Sequence, residues 1–367
     1  MILHGAWVAR GPRASVRREI VVNGSRAALD LSGHVLLPGL INAHDHLEFN
    51  LFPQLGHGPY PNASEWARDI YHPERSPIRE HLRVPKPVRL WWGGLKNLLS
   101  GVTTVCHHNP YEPAVFGAEF PVRVVRRFSW AHSLEFSPDL AARFQRSSAP
   151  FLVHCAEGTD ARARGEVDAL DRLGVLGRRT ALVHGVALTP SSLELLRRRR
   201  AALVWCPTSN LTTLGRTVRR SVLRSGVPVA LATDSALTAP VDLLDELRVA
   251  RRYLPAEQLY SMVTQKPARI LRLAPSQDWV ALRSPSRVPA RALFQGEIAL
   301  VVVNGRIRLI APDLAAQLPA AVRARFEPLA LEGRAEVLVD ANVRRLYRAA
   351  ARHLGTGFRL AGKRVLV

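Results

Sequence analysis

Five short apolar runs, each ending in a residue able to bind metal or carry protons, constrain this chain more than any other feature. Leu36-Leu37-Pro38-Gly39-Leu40-Ile41 leads into Asn42-Ala43-His44-Asp45-His46. Phe151-Leu152-Val153 ends at His154, with Glu157 three residues on. Ala181-Leu182-Val183 ends at His184, Ala201 to Trp205 at Cys206, and Val227 to Thr233 at Asp234. Helix-like sequence follows each run. That alternation builds a parallel sheet, whose strands are buried on both faces and so read as unbroken apolar runs. Polar groups at the C-terminal strand ends are where a (β/α)8 barrel keeps its active site. Successive side chains of a strand alternate faces, so His44 and His46 point the same way. Two neutral imidazoles side by side are half of a transition-metal site. Taken singly, His154 and His184 read as well as core histidines, and Asp234 as a helix cap.

The ordered set PGLINAHDH (38–46), GVTT (101–104), HCAE (154–157), LVHG (182–185), CPTSN (206–210) and ATDSA (232–236) resembles the amidohydrolase superfamily. The similarity is to its branch of cytosine, guanine and S-adenosylhomocysteine deaminases and triazine hydrolases, and it spans nearly the whole chain. The resemblance implies a TIM-like α/β barrel with a small β-sandwich formed by the chain ends. It implies one divalent metal on His44, His46, His154 and Asp234, zinc first, with iron or manganese as alternatives. His184 would stand beside the metal, Asp234 would also accept a proton, and Glu157 would shuttle one to the substrate. The reaction implied is deamination of an amino-substituted heterocycle by water that the metal acidifies. Opening of a cyclic amide, as in imidazolonepropionase-like relatives, would use the same residues. A non-catalytic metal-binding barrel is the third reading.

Departures from the family pattern refine these expectations. The four lysines are Lys86, Lys96, Lys266 and Lys363, and none stands where dinuclear members carry a bridging lysine. A mononuclear site is therefore expected, Glu135 being the one carboxylate that could stand in for a bridging lysine or glutamate. The GVTT strand and His154 are too close in sequence for two full strand–helix units. Pro121–Phe128 reads as strand 3 and Trp130–Leu134 as strand 4, with the barrel reduced there. The expected organisation is a barrel over 35–274, a loop over 275–289, and a composite β-rich domain from 1–34 and 290–367 with C-terminal helices. Asn304-Gly305 is a hairpin signal.

The formal net charge is +21, carried by arginine far more than lysine. Such a balance raises nucleic acid as a partner, but the arginines are spread over helices without interleaved aromatics, so a small-molecule substrate is expected instead. Three cysteines are too few for a disulfide framework, and neither a signal peptide nor a membrane span is evident, so a cytoplasmic, membrane-free enzyme, monomeric or homo-oligomeric, is expected. Substrate contacts are expected from His107, His108, His132, Asn210, Glu48 and Trp66, in the long loop after strand 1 and at strand ends.

Overall fold

The computed structural model describes residues 1–23 and 28–367. The fold is mixed α/β with parallel sheets. Eight strands carry the apolar runs: β1 (Leu40–Asp45), β2 (Val102–His107), β3 (Arg123–Val124), β4 (Ser129–Ala131), β5 (Phe151–Cys155), β6 (Thr180–His184), β7 (Ala202–Trp205) and β8 (Val229–Leu231). One parallel sheet runs β3–β2–β1 and the other β4–β5–β6–β7–β8. A parallel bridge between Asp45 and Asp234 joins them, and Asp234 N donates to His44 O at 3.1 Å. The order is therefore β3-β2-β1-β8-β7-β6-β5-β4.

The ladder does not close: no strand pairing joins β3 to β4 among the described residues. The reduction foreseen from the short spacing falls at this seam. Strand 3 shrinks from the expected Pro121–Phe128 to Arg123–Val124, and residues 125–128 lead straight into β4 without a helix. So short a link cannot hold a helical crossover. The next helix, Leu140–Gln145, follows β4.

Alternation along the strands sorts their side chains into two layers. Ile41, Ala43, Leu152, Val183, Val204 and Ala232 meet in one buried cluster enclosed by the strands. Leu40, Val105, Val153, Leu182, Leu203 and Val229 face the helices in another. The helices start where side chains supply caps: Asp160 accepts from Ala163 N at 2.9 Å, and Thr189 and Ser192 form a capping box.

The chain ends form a ten-stranded sheet that reaches further into the sequence than expected. His34–Pro38 and Trp279–Arg283 pair within it, so the segment 275–289, read as a loop, contains a strand. Its short apolar run lies beside Arg, Pro and Ser, and strand pairing on both sides overrides that composition. The same override acts after Pro312, where helix was expected: Glu327–Leu331 and Val337–Val339 are paired strands, while the helix Val343–Leu354 is present. Asn304-Gly305 makes the expected two-residue turn, both residues at positive φ. Among the described residues no helix is long and apolar enough to cross a membrane.

Candidate active site

The C-terminal ends of β1, β5, β6 and β8 converge on one point. Ligand atoms of His44, His46, His154 and Asp234, all buried, lie within 4.8 Å of one another. His44 Nε2 stands 3.1 Å from Asp234 Oδ1 and 3.2 Å from His154 Nε2, and His46 Nε2 lies 3.6 Å from the same carboxylate oxygen. His154 Nδ1 donates to the His132 carbonyl at 2.7 Å, which leaves its Nε2 with a lone pair aimed at the cluster.

Electrostatics keep the set ready for a cation. Burial, reinforced by neighbouring imidazoles, holds His46 and His154 well below the usual histidine range, so both are neutral, the state that binds metal. Burial pushes the Asp234 carboxyl up, but the hydrogen bond with His44 and the charges of His184, His44 and His46 outweigh it and hold the group below the usual carboxylate range. Ser209 Oγ donates to Asp234 Oδ2 at 2.6 Å and Thr238 Oγ1 at 3.2 Å, leaving Oδ1 for the cluster. Imidazole nitrogens facing each other around a carboxylate oxygen lack a shared partner that a divalent ion supplies, so the residues present fit a bound metal.

Glu157 and His184 stand beside the cluster. His184 Nδ1 donates to Asn210 Oδ1 at 2.8 Å, so its Nε2 is the free nitrogen, 3.4 Å from Glu157 Oε2 and 4.0 Å from Asp234 Oδ2. Burial pushes His184 down to about 4. Burial first, then the charge of Asp234, pushes Glu157 well above the usual carboxylate range. Two of these strand ends are strained: His184 and Asp234 sit at φ +78° and +61°, a left-handed backbone that non-glycine residues rarely adopt and that recurs at functional sites.

A cavity of about 670 Å³ opens over the cluster, within the range of small-molecule sites. Phe49, Trp66, Ile70, Trp130, Phe136 and Leu237 form its apolar wall, and His132, Asn109 and Ser235 add polar atoms. The loop after β1 reaches this wall through the helix Ala63–Ile70. Its start is pinned by Ala63 N donating to Glu157 O at 3.0 Å and by an Asn62–Gly158 bridge. A side chain at 158 would meet the Pro61 carbonyl at 2.8 Å. Arg68 and Arg143 lie at the rim with their charges matched, Arg68 by Glu65 and Glu135 at 2.6 and 2.7 Å and Arg143 by Asp139 at 2.8 Å.

The expected substrate contacts divide. Trp66 and His132 line the cavity. His107, His108, Glu48 and Asn210 do not. His107 faces Glu48 at 3.6 Å, and Glu48 accepts from Asn109 at 2.6 Å. His108 Nε2 donates to Ala131 O at 3.0 Å, linking β2 to β4 behind the cluster. Asn210 orients His184. These four sit one layer back on different elements: Glu48 in the turn Leu47–Phe49, Asn210 in the helix Pro207–Leu214, and His107 and His108 at the end of β2. Glu135 pairs with Arg68 and Arg162 at the rim, away from the metal ligands.

Two supports went unread in the sequence. Glu166 Oε2 accepts from Ala156 N at 2.6 Å, bracing the turn that carries Glu157. Beneath β1, Lys96 Nζ lies 2.8 Å from Asp45 Oδ2, both buried, and donates to Thr233 Oγ1 at 3.1 Å. Asn97 and Asn50 donate to the same carboxylate at 2.7 and 2.9 Å. This network ties the residue between the two histidines to the residue before Asp234. The Asp within HDH was its only sequence signal.

Residues 139–276 match the amidohydrolase family model. That match and the His/Asp cluster together support a metal-dependent hydrolase. The chain is 24% identical to the 5-methylthioadenosine/S-adenosylhomocysteine deaminase of Pyrococcus furiosus, covering 77% of this chain and 85% of that protein. It is 26% identical to the protein of the same name from Syntrophobacter fumaroxidans, over 74% of each. Among solved structures it resembles a zinc-bound adenosine deaminase from Xanthomonas campestris, with a TM-score of 0.71 at 17% identity over 96% of this chain and 97% of the other. A zinc complex of atrazine chlorohydrolase from Arthrobacter aurescens gives 0.69 at 15% identity, over 96% and 99%.

Proposed function

We propose that this protein is a mononuclear, zinc-dependent aminohydrolase that removes the exocyclic amino group of a small heteroaromatic substrate of the adenine type as ammonia. The observation that carries the reading is the convergence of three imidazoles and a carboxylate beneath a cavity walled by aromatic rings, with the buried Glu157 carboxyl beside them. The deaminase names of the relatives support the choice of reaction and ring. The donor set and the zinc in the neighbouring structures support the metal. The strand order supports a barrel opened at the β3/β4 seam. Three buried, free cysteines support a reducing compartment such as the cytoplasm.

A divalent ion held by His44, His46, His154 and Asp234 would supply an acidified water and an electrophilic charge. The chain's own groups do the rest. Trp66, Trp130 and Phe136 offer faces on which a flat ring stacks. With Arg68 and Arg143 already paired, the wall favours an uncharged ring over an anionic one. Glu157 delivers its proton to a ring nitrogen as the ring carbon is attacked, and then carries the water's proton to the departing amine. His184, neutral and held by Asn210, directs Nε2 at the reacting centre.

Purified protein should contain about one equivalent of metal and release ammonia from one or more adenine-type nucleosides. His44→Ala and Asp234→Ala should lose both metal and turnover. Full metal occupancy in both variants would overturn the site. A ring-opened acid formed without ammonia would replace deamination by cyclic-amide hydrolysis.

A further inference from the structure

At the opposite end of the parallel sheet, a cleft of about 570 Å³ is lined by Arg178, Arg179, Arg200, Arg224, Lys266 and Arg269, and no carboxylate lines it. Thr180, Ala202 and Pro228 in its wall place it at the N-terminal ends of β6, β7 and β8, away from the metal ligands at their C-terminal ends. Among the described residues none of the six cations makes an ion pair. Arg179 is held only by carbonyls, donating to Phe144 O at 2.5 Å and Ala149 O at 3.4 Å, with its guanidinium over the Phe144 ring. Lys266 is half-buried, has no hydrogen-bond partner among the described residues, and burial pushes its ammonium down.

Not every arginine-lined groove of the molecule is built this way. The groove lined by Arg248, Arg283 and Arg334 also holds Glu297, Asp313 and Glu336. Its Arg248 and Arg283 each reach a carboxylate, Asp245 at 2.7 Å and Asp313 at 2.5 Å. Six convergent cations with no counter-charge lower the cost of bringing an anion out of water, and a half-buried ammonium lacks the acceptor it would otherwise have from solvent. No aromatic ring lines the cleft, so it lacks the stacking platform of a single-stranded nucleic-acid groove.

We propose that this cleft binds a small anion bearing several phosphates, either free polyphosphate or the phosphate tail of a nucleotide. Calorimetric titration of the metal-loaded protein with tripolyphosphate at low ionic strength should show saturable one-to-one binding that weakens steeply with added salt. Titration with adenosine triphosphate distinguishes the sources: tighter binding than tripolyphosphate assigns a nucleotide tail, and equal or weaker binding assigns the free anion. Arg224→Ala, at an exposed position, should weaken binding by about tenfold, the worth of one charge-assisted hydrogen bond. Lys266→Gln should do the same or more, with ammonia release unchanged in both variants. Arg344→Ala, on the surface of the C-terminal helix, should leave affinity unaltered, as should Asp234→Ala. Absence of saturable heat at millimolar tripolyphosphate would overturn the proposal. So would equal affinity in Arg224→Ala and wild type, or tight binding of an RNA oligomer by a protein that ignores both phosphate probes.

Discussion

Glu157 illustrates how one side chain's environment sets its chemistry. A carboxyl in bulk water is ionised at neutral pH, whereas burial next to Asp234 raises this one's proton affinity well above the ordinary carboxylate range. Glu157→Gln preserves shape and hydrogen-bonding capacity but carries no transferable proton. Metal content should stay near wild type while kcat falls by roughly 10² or more, the usual worth of a positioned acid–base group. Metal analysis beside steady-state kinetics checks both halves. Glu166 makes a separate prediction through stability. Its carboxyl is pushed up to about 7 by burial, so between the ordinary carboxyl value and pH 7 the folded chain binds a proton that the unfolded chain has released. Stability conferred by that proton is present at low pH and lost as pH rises through about 7. Glu166→Gln retains an acceptor for Ala156 N and does not titrate. Between pH 4.5 and 8 the variant should therefore gain on wild type by about 3 kcal/mol, read from denaturant melts across that range.

At the scale of elements, the site depends on how strands are braced from behind. Lys96 on the helix Lys86–Leu99 is a buried ammonium whose partner, Asp45, lies between two metal-binding histidines. Removing one member of such a pair leaves an uncompensated buried charge. Lys96→Met should cost about 3–5 kcal/mol in unfolding free energy and loosen metal binding in a chelator competition assay. The double variant Lys96→Met with Asp45→Asn should recover part of that loss, which a double-mutant cycle measures. The strands carrying the ligands were legible because a parallel strand must be apolar on both faces, and a histidine at the end of such a run stands out. Strands of the chain-end sheet were less legible. Trp279–Arg283 lies beside a stretch rich in Arg, Pro and Ser, and Glu327–Leu331 is built of Glu, Pro, Leu and Ala, so only pairing with neighbours distant in sequence makes them strands. The barrel's weak point around strands 3 and 4 was readable as a shortage of residues before His154, although the missing pairing of β3 with β4 was not.

For the whole molecule, the four ligand residues come from three strands spread along the chain, His44 and His46 from β1, His154 from β5 and Asp234 after β8. A metal bound there stabilises the fold by mass action, because the unfolded chain has no such site. Chelation followed by dialysis should lower the unfolding free energy by about 4 kcal/mol if the ion was present at a thousand times its dissociation constant, and re-addition of zinc should restore it. Differential scanning calorimetry of the two forms checks the shift. His44→Ala should show no such response.

The amino-acid sequence by itself determined the parallel α/β class, the residues at the ends of its strands and the chemistry open to them. These follow from local rules: alternation within a strand, burial of both faces, and the ligand preferences of imidazole and carboxylate. Tertiary structure alone decided which polar residues face the opening and which stand behind it, so that Trp66 and His132 line the cavity while His107, His108, Glu48 and Asn210 brace it. It also decided where unpaired arginines gather, at the foot of β6, β7 and β8. The physical reason is that burial, proton affinity and charge pairing belong to neighbours in space, and residues as far apart in the chain as Lys96 and Thr233, or Arg178 and Arg269, become neighbours only when the sheets assemble.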